Sequence, residues 1–120
     1  SNEEENMSYQ GSCHCGAVAY AVAGEIDQVI ECNCSHCSRK GFLLWFVPRA
    51  QLQLNTAESA LSTYTFNKHV IQHLFCKTCG TQPFGFGEHQ GAAIAAINVR
   101  CLENVDLKAL KTARVDGRSH

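Results

Sequence analysis

The chain has 120 residues, of which 45% are apolar and 18% charged, and its formal net charge is −1. That length suits one globular domain, and the charge balance gives no basic surface of the kind that binds nucleic acid. No apolar run reaches the ~18 residues of a membrane-spanning helix. We therefore expect neither nucleic acid nor a membrane among the partners.

Residues 1–7 are polar and acidic, with the sequence SNEEENM. They are typical of a tag remnant or a disordered N-terminus. No repeat, linker or low-complexity stretch divides the rest, so we expect a single domain over residues 8–120.

Short segments with a two-residue apolar period follow one another along the chain. In chain order the predicted strands are 17–23, 25–32, 43–47, 51–55, 63–67, 70–75, 82–87, 92–99 and 110–115, with one helical turn over 104–109. In the first strand, Val18, Tyr20 and Val22 share one face. The run 43–47 is continuously apolar and is stopped by Pro48, which predicts a strand buried on both faces. Many short strands at regular spacing indicate an all-β fold of two small packed sheets.

Seven of the eight cysteines lie in three tight clusters. These are Cys13 and Cys15; Cys32, Cys34 and Cys37; and Cys76 and Cys79. A structural zinc ion takes four protein ligands, whereas a catalytic zinc ion takes three and keeps one position open. Joining the two pairs gives a closed site of four cysteines and leaves the triplet with a vacant position. Adding the triplet to either pair would give five ligands, which is too many for a tetrahedron.

Two alternatives remain open on spacing alone. The triplet could be a second structural site, with a fourth ligand from Cys101, His36, His69 or His73. The eight cysteines could also form a disulfide framework. We expect the second alternative less, because no signal peptide is visible and Cys-x-Cys neighbours make strained disulfides. Zinc binding implies a reducing compartment, and hence the cytoplasm.

Several residues near the clusters have both a structural and a functional interpretation. Arg39 and Lys40 could hold a carboxylate of a bound ligand, although a solvated surface pair explains them slightly better. His73 is first interpreted as a core residue and second as part of a pocket wall. Trp45 and Phe46 could equally pack in the core or form an aromatic wall over the triplet.

The motifs resemble those of a known family. They are GSCHCGAV at 11–18, ECNCSHCSRKG at 31–41, FCKTCGTQPFG at 75–85, INVRCLE at 97–103 and VDGRS at 115–119. Their order and spacing resemble the glutathione-dependent formaldehyde-activating family, whose domain also occurs in the centromere protein V group. The resemblance covers nearly the whole domain.

The resemblance implies a β-tent fold of small antiparallel sheets pinned by a structural zinc ion. It implies that Cys13, Cys15, Cys76 and Cys79 hold that ion. It also implies that Cys32, Cys34 and Cys37 hold a second, more labile zinc ion and are the catalytic residues.

The implied activity is that of a carbon–sulfur lyase of the S-(hydroxymethyl)glutathione synthase type. Such an enzyme joins glutathione, or a similar thiol, with formaldehyde or another small aldehyde, a reaction that serves detoxification. The alternative function is a non-catalytic, zinc-stabilised binding module with two structural metals. The sequence does not identify the thiol, the aldehyde or the oligomeric state.

Overall fold

A computed structural model describes residues 8–65 and 71–116 of the chain. The expected N-terminal remnant, His69 and the end of the predicted strand 63–67 lie outside these ranges. So does most of the VDGRS motif.

The described part of the chain is built almost entirely of strands, and the all-β prediction is confirmed. The strands are β1 (Ser8–Ser12), β2 (Ala19–Ala23), β3 (Val29–Cys32), β4 (Leu44–Pro48), β5 (Leu52–Leu54), β6 (Leu61–Tyr64), β7 (Gln72–Cys76), β8 (Phe84–His89), β9 (Ala92–Asn98) and β10 (Thr112–Val115). One short helix, α1 (Ser35–Lys40), follows β3. Single 3-10 turns occur at Arg49–Gln51, Glu58–Ala60, Val99–Cys101 and Leu107–Ala109, the last within the predicted helical turn.

The strands form two sheets, as the alternation predicts. The small sheet has the order β1-β2-β5, and the large sheet has the order β10-β3-β4-β9-β8-β7-β6. Neighbouring strands are antiparallel, except that β10 runs parallel to β3. The parallel pair places the last described strand beside the one that ends at Cys32.

The hydrophobic core lies between the two sheets. Tyr20 and Val22 share one face of the small sheet, as predicted, and are fully buried. Val18 is also fully buried but lies in the bend before β2, so the predicted strand 17–23 begins only at Ala19. The large sheet contributes the buried side chains Trp45, Val47, Phe84, Ala95 and Ile97. Across the interface the ring of Tyr20 meets the ring of Phe84 edge to face, with centroids 5.0 Å apart.

The second face of the large sheet is not covered by the small sheet, and the prediction that the run 43–47 is buried on both faces is therefore wrong. Along β4, Trp45 and Val47 point into the core, whereas Phe46 is 45% exposed. Side chains alternate between the two faces of a strand, so Leu44 and Phe46 share the outer face. The continuous apolar run thus serves two different surfaces.

Two elements have no counterpart in the predicted pattern. The strand β1 reads SYQGS and is held by its antiparallel pairing with β2. The helix α1 is capped at its N-terminus by Cys34, whose Sγ accepts a hydrogen bond from the N–H of Cys37 at 3.3 Å. It ends at Gly41, which has φ 68° and donates its N–H to the carbonyl of Cys37 at 3.0 Å.

The strand predicted over residues 25–32 is shorter in the structure than in the prediction, since only Val29–Cys32 forms a strand.

Candidate metal centres

Four cysteines meet where the β1–β2 loop approaches the end of β7. Cys13 and Cys15 lie in that loop, Cys76 ends β7, and Cys79 lies in the turn that follows. Their four Sγ atoms all lie within 4.8 Å of one another. The Sγ of Cys15 is 3.7 Å from that of Cys13 and 3.6 Å from that of Cys76. The four-cysteine cluster therefore joins the small sheet to the large one.

The geometry of this cluster fits a tetrahedral metal ion. A zinc ion with four sulfur ligands at ~2.3 Å defines a tetrahedron whose edges are about 3.8 Å long. The two measured Sγ–Sγ distances are close to that length. Backbone N–H groups also point at the sulfurs, from Val18 to Cys13 and from Thr78 to Cys76, each at 3.4 Å. Such bonds stabilise thiolates and orient metal ligands.

One thiol of this cluster is already poised to ionise. Hydrogen bonding to the Thr81 hydroxyl, whose Oγ1 is 3.4 Å from the Sγ of Cys79, is the largest of the causes that lower the pKa of Cys79 to about 5. The backbone N–H of Cys79 likewise lowers the pKa of Cys76. Metal ions bind the thiolate form, so both shifts favour metal binding.

The other three clustered cysteines surround the start of α1. Cys32 ends β3, Cys34 caps the helix, and Cys37 lies within it. Their Sγ atoms lie within 4.8 Å of one another. The N–H of Cys34 points at the Sγ of Cys32 at 3.5 Å, and the N–H of Cys37 points at the Sγ of Cys34 at 3.3 Å. This donor set is also suited to zinc, because three soft thiolates leave one tetrahedral position for a further ligand.

The thiols of the triplet differ in acidity. Although burial opposes ionisation of Cys34, the N–H and thiol of Cys37 and the thiol of Cys32 together lower its pKa. Burial first, and then the neighbouring sulfurs, raise the pKa of Cys37. A bound cation would offset the cost of ionising Cys37, because metal ions bind the thiolate form.

Among the described residues, no further histidine, cysteine or carboxylate joins the triplet within ligand distance. Cys101, one of the candidates for a fourth ligand, lies elsewhere. Its Sγ accepts a hydrogen bond from the Asn98 amide at 3.5 Å. Burial, and then the charges of Cys13 and Cys79, raise its pKa to about 11. All eight cysteines lie in the described ranges and are free thiols, so the disulfide framework is not formed.

The triplet opens onto a cavity of about 540 Å³ on the outer face of the large sheet. All three of its cysteines line this cavity, and none of the four-cysteine cluster does. The apolar side chains in the wall include Ile30, Phe42, Leu44, Phe46, Ile71, Ile94 and Val115. The polar ones are His73, Gln82, His89 and Asn98. A ligand in the cavity would thus meet the sulfurs at one point of a mainly apolar wall.

The family model described as glutathione-dependent formaldehyde-activating enzyme matches residues 8–115. The chain belongs to this family. The family resemblance expected from the cysteine motifs is confirmed.

One solved structure is similar to this family member over most of its length. It is the crystal structure of a Rhodobacter sphaeroides protein, with 26% sequence identity and a TM-score of 0.74. The match covers 87% of this chain and 99% of that one. None of the helices in the described ranges has the length and apolar character needed to cross a bilayer.

A histidine pair beside the triplet was not predicted for this family member. The rings of His36 and His73 lie 4.1 Å apart, although the residues are on α1 and β7. Gln82 reaches the Nδ1 atom of His73 at 3.4 Å, and the ring of Tyr64 stacks on His36 at 5.8 Å. His73 lines the cavity, so its pocket interpretation describes it better than the core interpretation. The distance between the two residues in the sequence gave no indication of this contact, because it arises only when the fold brings α1 against β7.

Proposed function

We propose that this family member binds zinc at both cysteine clusters and joins a small thiol, glutathione or a similar one, with a small aldehyde at the triplet. The observation that carries the proposal is the contrast between the clusters. Cys32, Cys34 and Cys37 line a cavity, whereas the four-cysteine cluster does not. A three-ligand site open to a cavity is the arrangement of catalytic zinc, and a four-ligand site is that of structural zinc.

The structural role belongs to Cys13, Cys15, Cys76 and Cys79. Cys13 and Cys76 are buried, and the cluster connects the β1–β2 loop to the end of β7. The ligands of one ion would thus come from two sheets and from positions about sixty residues apart. Metal binding to such a site adds directly to the free energy of folding.

The catalytic role belongs to Cys32, Cys34 and Cys37. When bound there, zinc supplies a Lewis acid that lowers the pKa of a thiol and polarises a carbonyl group. The N–H groups of Cys34 and Cys37 stabilise the thiolate ligands, and the apolar wall excludes water from the reacting groups. The reaction forms a carbon–sulfur bond, converts the carbonyl to a hydroxyl group and transfers the thiol proton to its oxygen.

A thiol bound at the triplet would lie beside α1, because Cys34 caps this helix and Cys37 lies within it. Lys40 is exposed at the end of that helix and offers a cation to a glutathione carboxylate. Arg39 is less available, because its Nη1 donates to the carbonyl of Ser35 at 2.7 Å within the same helix. That contact supports the surface interpretation of Arg39. The free thiols support a reducing compartment, for which we propose the cytoplasm.

The experiment is to measure exchange between labelled formaldehyde and its glutathione adduct by NMR, with zinc-loaded protein. We expect the wild type to accelerate exchange and Cys34→Ser to lose at least ~100-fold of that acceleration, because one ligand of the open site is gone. Cys101→Ser is the matched control, since it removes a thiol outside both clusters. It should retain activity.

The outcome that contradicts the proposal is equal acceleration by Cys34→Ser and the wild type. Full zinc occupancy at both clusters with no acceleration for any thiol or aldehyde would favour the binding module instead. In that case both metals would be structural.

A further inference from the structure

We infer that the aldehyde used by this protein carries an apolar substituent of several carbon atoms, aliphatic or aromatic, and that this substituent occupies the cavity beside the triplet. That the ligand is an aldehyde rests on the proposed function. Its apolar character rests on the shape and lining of the cavity.

The size of the cavity is the first argument. Pockets of ~300–1,000 Å³ hold ligands of drug size and bury most of their surface. At about 540 Å³, this cavity falls within that range. Formaldehyde has two heavy atoms and would leave most of the volume to water.

The lining is the second argument. Among the described residues in the wall there is no arginine, lysine, aspartate or glutamate. Glutathione carries two carboxylates and an ammonium group, and burying such charges without partners is costly. The wall therefore does not suit the body of glutathione. It suits a hydrocarbon group, and the charged thiol is better accommodated at the exposed end of α1 near Lys40.

The third argument is where the exposed apolar side chains lie. Four large hydrophobic residues in the described ranges are conspicuously exposed, namely Phe46 at 45%, Tyr64 at 50%, Ile71 at 50% and Val115 at 41%. Phe46, Ile71 and Val115 all line this one cavity. Contiguous exposed apolar surface marks a binding site more often than isolated apolar residues do.

The sheet register explains how the cavity floor is built. Phe46, Ala96, Gly85 and His73 stand side by side on four adjacent strands. Two small residues thus lie between an aromatic side chain and an imidazole, which leaves a depression in the face. A larger side chain at position 96 would fill it from below.

Binding of unreactive ligands tests directly whether the cavity prefers an apolar group. The probes are straight-chain alcohols from ethanol to 1-octanol, unreactive analogues of the aldehydes, titrated into zinc-loaded protein and followed by backbone amide NMR. We expect the dissociation constant to fall by about fourfold per methylene group until the cavity is full. The largest shifts should be at Ala96 and Gly85.

Variants locate the binding site. Ala96→Leu should weaken 1-hexanol binding at least tenfold by filling the floor. Ala93→Leu is the matched control, because Ala93 is exposed on the same strand and does not line the cavity. If Ala96→Leu does not fold, Phe46→Ser keeps the test available, since it removes an exposed wall residue and should also weaken binding.

Measuring adduct formation with different aldehydes distinguishes a failure of this inference from a failure of the proposed function. With glutathione, the acceleration of adduct formation over the uncatalysed rate should be greater for hexanal or benzaldehyde than for formaldehyde, and Ala96→Leu should remove that difference. Acceleration with formaldehyde alone, and no alcohol bound, would overturn the inference and leave the proposed function standing. Alcohol binding with no adduct from any aldehyde would overturn the proposed function, and with it the assignment of the ligand as an aldehyde. A dimer that Phe46→Ser dissociates, with no alcohol bound, would identify a second copy as the occupant and overturn the inference.

Discussion

His73 is the residue whose protonation the fold opposes most clearly. Burial, followed by the charges of His36 and Lys40, lowers its pKa to about 4, against 6.5 for an unperturbed histidine. Its ring is 4.1 Å from His36, and Gln82 lies 3.4 Å from its Nδ1 atom. At neutral pH the imidazole is therefore uncharged beside the triplet.

This shift predicts a pH-dependent stability. Between pH 6.5 and about 4, the unfolded chain binds a proton at His73 that the folded chain does not. The free energy of unfolding should therefore fall as the pH drops through that window, and His73 should contribute no change above it. In His73→Phe the fall should be shallower.

Urea unfolding of the wild type and His73→Phe at pH 7.5, 6 and 5 measures the effect. The zinc content of both proteins is measured at each pH, and their slopes are compared only where it is equal, so that the difference isolates His73. Parallel curves would show that His73 does not carry this proton linkage.

Prediction at the residue scale worked where the information is local. Chelate spacing is such a signal, and the structure brings the same seven cysteines together in groups of four and three. The contact between His36 and His73 could not be predicted, because it depends on where α1 lies against β7. Trp45 and Phe46 illustrate the same limit, since neighbours in a strand face opposite sides and the sequence did not decide which side is the core.

Among the secondary-structure elements, the short helix α1 forms for reasons that its length and composition do not explain. It has six residues and no buried side chain, so neither length nor apolar packing explains it. The capping interactions at its two ends explain the helix. The Sγ of Cys34 accepts a hydrogen bond from the N–H of Cys37. Gly41 adopts a left-handed conformation and donates its N–H to the carbonyl of Cys37. Helix and triplet therefore depend on each other.

Gly41→Ala tests this dependence. A side chain in the left-handed region costs about 1–2 kcal/mol. The space beside Gly41 is open, so this conformational strain is the only expected cost. We expect zinc affinity at the triplet to fall by about fivefold, which corresponds to about 1 kcal/mol. Competition with a chromophoric chelator measures it.

Gly91→Ala is the matched control for that experiment. Gly91 also has a positive φ, 81°, and open space around it, but it lies in the turn between β8 and β9. It should lower stability by a similar amount without changing zinc affinity at the triplet. Equal losses of zinc affinity in both variants would mean that α1 has no special role.

Most strands were predictable because apolar and polar residues alternate along a strand that buries one face in the core. The exceptions have physical causes. The strand β4 is apolar on both faces, because its outer face lines the cavity. From the sequence this continuous apolar run was interpreted as a strand buried on both faces. The strand β1 carries few apolar residues and is defined by its backbone pairing with β2, which leaves no periodic signal.

At the scale of the whole molecule, the two cysteine clusters lie at different kinds of place. The four-cysteine cluster ties the small sheet to the large one, whereas the triplet lies at the rim of a cavity on the outer face. The two-sheet, all-β architecture followed from strand spacing. The parallel pairing of β10 with β3 did not, because the chain returns to that edge from far away in the sequence.

The proposed function requires that one cluster close around its metal while the other leave a position for a thiol. Native mass spectrometry of the reduced, zinc-loaded protein with glutathione tests it most directly. We predict two zinc ions and one glutathione on the wild type, and one zinc ion and no glutathione on a folded Cys34→Ser. Cys79→Ser should be unfolded. Two zinc ions with no thiol bound at any concentration, or a glutathione that Cys34→Ser still binds, would rule out the proposed function.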